Sequence, residues 1–380
     1  SEFNYNYARR DGGALNIAKN SSNFTVENSV FNNDTTGDDG GAINWEGDSG
    51  LIKNITCYNC IGVAFADPVT GASTSKGGTI CLTGDNITIT ESKFTAGGVL
   101  YNQGTLSETD AGGIFITGEN TTISNSEFID CYSPNNAGAI KVIGNKTLMD
   151  NCTFINCTAT EDGGALYVEG LDCKVYNSTF TDNTAGDDGG AILWSGARGL
   201  ISNSTFTNVK ALGVNGAHAS GGAINLVGDY TVVEKSKFDM STAVVNGGAI
   251  YASGNYINIT DSAFSNCNVT HTKENNYAHG GGAIYIEGHD TNIINSTFNQ
   301  TNARVGGVIY VQGYDASIIN STVTDSYAVT GGAVYINGPH ASVINSSFNG
   351  TNAKTTSSFV TDNKGGAIYI LGNYATIEGS

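Results

Sequence analysis

The chain has 380 residues, 51 of them Gly and only 3 Pro, with 39% hydrophobic and 14% charged residues and a net charge of −18. The hydrophobic share excludes a disordered chain, and the acidic excess excludes the basic footprint that nucleic acid or an anionic lipid surface requires. No apolar run approaches the ~18 residues of a membrane span, so none is expected here, and the polar, acidic composition suits an exported protein.

Ser1-Glu2-Phe3 reads as a cloning remnant rather than a native start. A Gly-Gly-Ala-Ile-Tyr-like string then recurs along the chain, its second glycine at Gly13, Gly41, Gly78, Gly112, Gly138, Gly164, Gly190, Gly222, Gly248, Gly282, Gly307, Gly332 and Gly366. The base period is 25–26 residues, lengthened in some repeats. Two and four residues after the marker glycine the side chain is apolar (Ile43 and Trp45, Ile192 and Trp194), and the position between varies, which describes a strand with one buried face. A further glycine closes that strand. A second strand follows, with Ser and Phe at even spacing, as in Val175, Ser178 and Phe180, so both are expected on one inward face. The sequence ends in mid-repeat at Ser380, and the whole of 1–380 is read as one domain of a longer surface protein.

One such unit cannot bury its own apolar face, but stacked units build a continuous core. The expected fold is therefore all-β, a right-handed single-stranded parallel β-helix of about 13 coils. Inward serines should form a hydrogen-bonded ladder. The glycine pairs should mark sharp bends. A β-sandwich is the rival, but antiparallel sheets need no glycine pair at this fixed period.

The extra residues all enter between the Phe and the next Gly-Gly, at about 61–76, 95–110, 209–219, 268–279 and 351–364, so they should emerge at one corner. They carry Phe65, Tyr101, Tyr277 and Phe359, taken as a candidate binding edge, with His218, His271 and His279. Tolerated surface loops explain them equally well. Tyr251, Tyr285, Tyr310, Tyr335 and Tyr369 occupy the outward strand position and should stack as a stripe able to pack on sugars or partners, although lateral stabilisation of the strands explains such a stripe equally well.

Carboxylates gather before the glycine pairs. Glu161, Asp162, Asp187 and Asp188 fall on successive repeats, and four such groups at strand spacing repel unless solvent, protonation or a hard cation such as calcium relieves them. The same carboxylates fit a glycoside hydrolase pair. Arginine is confined to Arg9, Arg10, Arg198 and Arg304, however, and no polygalacturonase-like catalytic string is present. No catalytic residue is assigned, and the chain is expected not to be an enzyme. Cys131 and Cys157 are one repeat apart, so a disulfide is conceivable, though buried free thiols are the expectation for all eight cysteines. Sequons recur at one register, including Asn177, Asn203, Asn295, Asn320 and Asn345, which makes them candidate glycosylation sites unless the repeat itself demands Asn-Ser-Thr.

The unit Gly-Gly-Ala-Ile-Tyr-Ile-x-Gly…Ile-x-Asn-Ser-Thr-Phe-x-x-Asn-x-Ala, nearly complete at 163–185 and 282–303, resembles adhesin-like proteins of methanogenic archaea. It is also similar to the repeats of chlamydial polymorphic membrane proteins, whose Phe-x-x-Asn is intact here at Phe180 and Asn183. The resemblance implies an extracellular, cell-surface stalk that attaches to glycans or proteins of other cells or to itself. A structural solenoid of a wall, sheath or filament is the alternative, and a β-helical polysaccharide-active enzyme the third reading.

Overall fold

The computed structural model describes residues 1–64, 72–101, 105–214, 218–270, 280–354 and 364–380, which fall into two compact units, 1–185 and 186–380. Each unit is a stack of parallel coils. In the first, the post-glycine strands Leu15–Ile17, Ile43–Trp45, Ile80–Leu82, Ile114–Ile116, Ile140–Val142 and Leu166–Val168 form one parallel sheet. Its register places Ile43, Ile80, Ile114, Ile140 and Leu166 in one row. In the second unit the row is Ile192, Ile224, Ile250, Ile284, Ile309, Val334 and Ile368.

The second strand of each coil is bent in the middle by a residue in the left-handed region. That residue is Asn151 or Asn177 in the first unit and Asn203, Asn295, Asn320 or Asn345 in the second, with φ between 49° and 53°. Asn reaches this conformation more cheaply than most residues because its short amide bonds locally. The bend lets Ser and Phe both point inward. Phe94, Phe128, Phe154 and Phe180 stack with centroids 4.8–5.1 Å apart, and Phe206, Phe238, Phe264 and Phe298 do so at 4.7–4.9 Å. Full burial of each ring contributes on the order of 2 kcal/mol.

The expected serine ladder is present. Each hydroxyl donates to a carbonyl two residues back in its own coil (Ser236 to Glu234, Ser262 to Thr260, both 2.8 Å) and accepts the amide of the coil before (Ser236 N to Ser262 Oγ, 3.2 Å). A short third strand, such as Thr158–Ala159 or Thr184–Ala185, completes the coil.

The glycine pair divides its work. The first member takes φ near +65°, as at Gly40 and Gly221, while the second is excluded sterically: a Cβ on Gly222 would stand 2.1 Å from the Gly248 carbonyl oxygen. Where Ala111 and Ala137 replace the first glycine, they keep its conformation at φ 62° and 57°.

Two inserts of the first unit are not bare loops. Ala72–Lys76 pairs in parallel with Thr105–Asp110, with one register shift. The ends of these strands reach the outward face of the post-glycine sheet. The Lys76 ammonium lies 5.6 Å over the Phe115 ring, and Asp110 bonds Lys141. Cys81, Phe115 and Lys141, at positions read as outward, are consequently buried, and Cys81 and Phe115 form a small second core with Ala111, Ala137 and Tyr167. All eight cysteines are buried free thiols.

Candidate functional site

The outward row of the second unit runs from Leu193 and Asn225 through Tyr251, Tyr285, Tyr310, Tyr335 and Tyr369. The tyrosines stack as the spacing implied, with centroids 4.6–5.5 Å apart. Tyr285 and Tyr310 are nearly buried. Their stack forms one wall of a cleft of about 460 Å³, a size suited to a small ligand. Asp188, His218, Ser220, Val245, Asn246 and Gln312 complete the lining.

Polar groups in this cleft are tied down one by one. Asp188 accepts the Ser220 amide at 2.7 Å and the Asn225 side-chain amide at 2.8 Å. That leaves the Asn225 Oδ1 buried and without a partner on a residue only 2% exposed. An orphaned buried acceptor costs about 1–3 kcal/mol, and Asn225 is not itself among the residues that line the cleft. The Tyr251 hydroxyl donates to Glu287, and the Tyr285 hydroxyl to the Gln312 carboxamide. Burial, and for Tyr251 also Glu287, holds the tyrosines protonated: Tyr251 and Tyr285 are driven far up, and Tyr310 is pushed to about 12. Beside the cleft, burial also raises Asp187, whose Oδ1 is partnerless, while His218 pulls it back down.

The first unit carries a different arrangement at the equivalent face. Lys141 lies 2.8 Å from Asp110, 3.2 Å from Glu169 and 4.7 Å from the Tyr167 ring centroid. Burial works against its charge, but the two carboxylates overcome this and raise its pKa. Asp39 is pushed up to about 7, first by burial and then by the neighbouring Asp38.

The other sequence-stated candidates fare unevenly. The carboxylates read as a calcium site divide between the units, Glu161 and Asp162 in one, Asp187 and Asp188 in the other. Among the described residues no group of three or more His, Cys, Asp or Glu is placed to hold a metal ion. Phe65, Tyr277 and Phe359, with His271 and His279, lie outside the described residues, and Tyr101 ends the strand Gly98–Tyr101. The sequon residues Asn177, Asn203, Asn295, Asn320 and Asn345 are exposed and hold the left-handed bend, with the inward Ser and outward Thr or Ser following. Asn225, Glu287 and Gln312 were not singled out from sequence, because the signal lies only in their register beside the tyrosine row.

Residues 112–225 match the family described as the right handed beta helix region, which fixes the hand of the coil. No curated protein matches the chain. Among solved structures, the alginate lyase AlyF-OU02 superposes with a TM-score of 0.56 at 12% identity, covering 100% of this chain and 96% of that one. A family 28 exopolygalacturonase of Yersinia enterocolitica does so with a TM-score of 0.50 at 10% identity, covering 93% of this chain and 72% of that one. At such identities the likeness is one of fold. It nevertheless corrects the expectation that the chain is not an enzyme: the solved β-helices it resembles are polysaccharide-degrading enzymes, so the fold gives no ground for excluding catalysis.

Proposed function

We propose that the protein is a polysaccharide-active β-helix whose second unit binds a glycan chain in the tyrosine-walled cleft. The observation that carries this reading is the cleft lining itself, in which Asp188, Ser220, Asn246 and Gln312 stand against three stacked tyrosines. Sugar hydroxyls donate and accept, and their C–H faces are apolar, so amide, carboxylate and phenol edges in one cleft suit them. Among the described residues the cleft lining contains no Lys or Arg, which favours a neutral glycan over a polyuronate. The setting we favour is extracellular, where attachment to surface glycans, as the methanogen adhesin resemblance implies, begins with the same binding step.

The test is calorimetric titration with neutral and acidic polysaccharides. The wild type should bind a neutral chain, and Tyr251→Phe and Asn225→Leu should each weaken it at least tenfold. Failure of every neutral glycan to bind would overturn the reading. Cleavage of the bound chain is a second reading, favoured by the carboxyl of Asp187, which stands beside His218 of the cleft and whose pKa burial raises. New reducing ends that disappear in Asp187→Asn while binding persists would support it; no product from any bound glycan would leave binding alone.

A further inference from the structure

A second aromatic row runs along a different corner of the second unit, where the chain turns from the post-glycine strand into the bent strand. Its members are Tyr230, Tyr256, His289, Tyr314, His340 and Tyr374, one per coil over six successive coils. Tyr230 stacks on Tyr256 at 4.7 Å, and His289 on Tyr314 at 4.6 Å. Edge contacts of 5.2 Å join Tyr256 to His289 and His340 to Tyr374. Unlike the cleft tyrosines, these rings face solvent: Tyr230 is 55% exposed, Tyr256 40% and Tyr314 47%.

The fold does not ask for aromatics here. The equivalent turn of the first unit holds Ser49, Asn86, Asn120, Lys146 and Asp172, all in the left-handed region. Tyr230, Tyr256, His340 and Tyr374 adopt the same conformation, with φ between 57° and 60°. That conformation is unfavourable for bulky side chains, so these residues make the turn worse rather than better. In the two coils where Asp290 and Asp315 hold the left-handed slot, the ring moves back one residue, to His289 and Tyr314, and the ring contacts continue from Tyr230 through Tyr314. A row kept through a change of backbone position, against local preference and in water, points to a contact made by the rings themselves.

The chemistry beside the row narrows the partner. Asp229 accepts from the Asn255 amide and side chain, Asp290 lies 2.8 Å from His289, and Asp315 lies 3.6 Å from His340. Carboxylates alternate with ring edges and phenol hydroxyls along the stack, about 4.8 Å per coil. A polyanion is repelled by such a strip, whereas a neutral polymer rich in hydroxyls finds acceptors and apolar edges at every step.

From this geometry we infer a second binding site, a surface track for an extended neutral polysaccharide along Tyr230, Tyr256, His289 and Tyr314, separate from the cleft. It extends the polysaccharide reading above, and long chains spanning both sites would gain avidity that short oligosaccharides would not.

The experiment compares the wild type, the triple variant Tyr230→Asn/Tyr256→Asn/Tyr314→Ser, and Tyr251→Phe. Binding to a long neutral polysaccharide and to its short oligosaccharides is measured for each. The triple variant should lose at least tenfold in affinity for the long chain and keep oligosaccharide binding; Tyr251→Phe should lose oligosaccharide binding and retain residual long-chain binding. Long-chain binding unchanged in the triple variant overturns the track and leaves the cleft intact. Loss in Tyr251→Phe alone has the same meaning. Should the triple variant unfold, nitration of the wild type decides: saturating polysaccharide should slow modification of Tyr230, Tyr256 and Tyr314, and unprotected tyrosines overturn the track. A wild-type dimer abolished by the triple substitution would assign the row to a second copy of the chain and overturn the glycan assignment.

Discussion

Asp39 shows how one side chain carries both a cost and a response. Its carboxyl is hydrogen bonded by the Lys76 amide at 2.7 Å, yet burial and Asp38 push its pKa up to about 7. The folded chain therefore keeps this proton to a higher pH than the unfolded chain, whose carboxyl titrates near ~3.9. Stability from this group is complete below about pH 4 and falls as the pH rises toward and through 7. Asp34, Asp38 and Asp187 are shifted in the same direction, each chiefly by burial. The urea midpoint should accordingly fall between pH 5 and pH 8, and Asp39→Asn should flatten that fall. Parallel pH profiles for the two proteins would show that Asp39 is already ionised when folded. The glycine pair makes a complementary point. Its recurrence reveals a bend from sequence, but two different causes underlie it, a positive φ at Gly221 and a carbonyl 2.1 Å from a would-be Cβ at Gly222.

At the level of the strand and its ladder, inward positions were legible and outward ones were not. Period-two alternation identifies the buried side because water and core are the two environments it assumes, and Ser178 and Phe180 lie inward as it implies. The opposite side it treats as solvent. Cys81, Phe115 and Lys141 break that assumption because Lys76 and Asp110, from inserts outside the repeat, close over them. Aperiodic segments give no sequence signal of pairing, so the Ala72–Lys76 and Thr105–Asp110 sheet was invisible beforehand. The cleft was half legible: the tyrosine stripe followed from register, whereas Asn225 gains its meaning only once Asp188 takes its amide. The aromatic ladder inside the coils carries its own prediction. Phe154 is fully buried between Phe128 and Phe180, at 5.1 and 4.8 Å. Phe154→Ala should cost about 3–5 kcal/mol in denaturant unfolding. A loss below about 1 kcal/mol would mean that the neighbouring rungs collapse into the gap.

For the whole molecule, charge is the property that selects partners. A net −18 on 380 residues produces a repulsive field for polyanions at low salt. Neutral glycans should bind with little dependence on ionic strength, whereas any binding of a polyuronate should strengthen as salt screens the field. Polyuronate binding that instead weakens with added salt would point to a cationic site and against the neutral-glycan reading. The solved enzymes that share the fold act on alginate and polygalacturonate, so this comparison also separates likeness of scaffold from likeness of substrate.

The in-register corner has one more consequence, for how such a chain changes length. Gly138 and Gly164 are equivalent points of successive coils, and Ala139 and Ala165 follow them identically. Excising residues 139–164 would join Gly138 to Ala165 and present each flanking ladder with a rung of the same kind. Unequal recombination between repeats can therefore lengthen or shorten the protein in whole coils, each step leaving a foldable chain. Within such a unit the length of the stack is then a heritable quantity that varies in increments of about 4.8 Å.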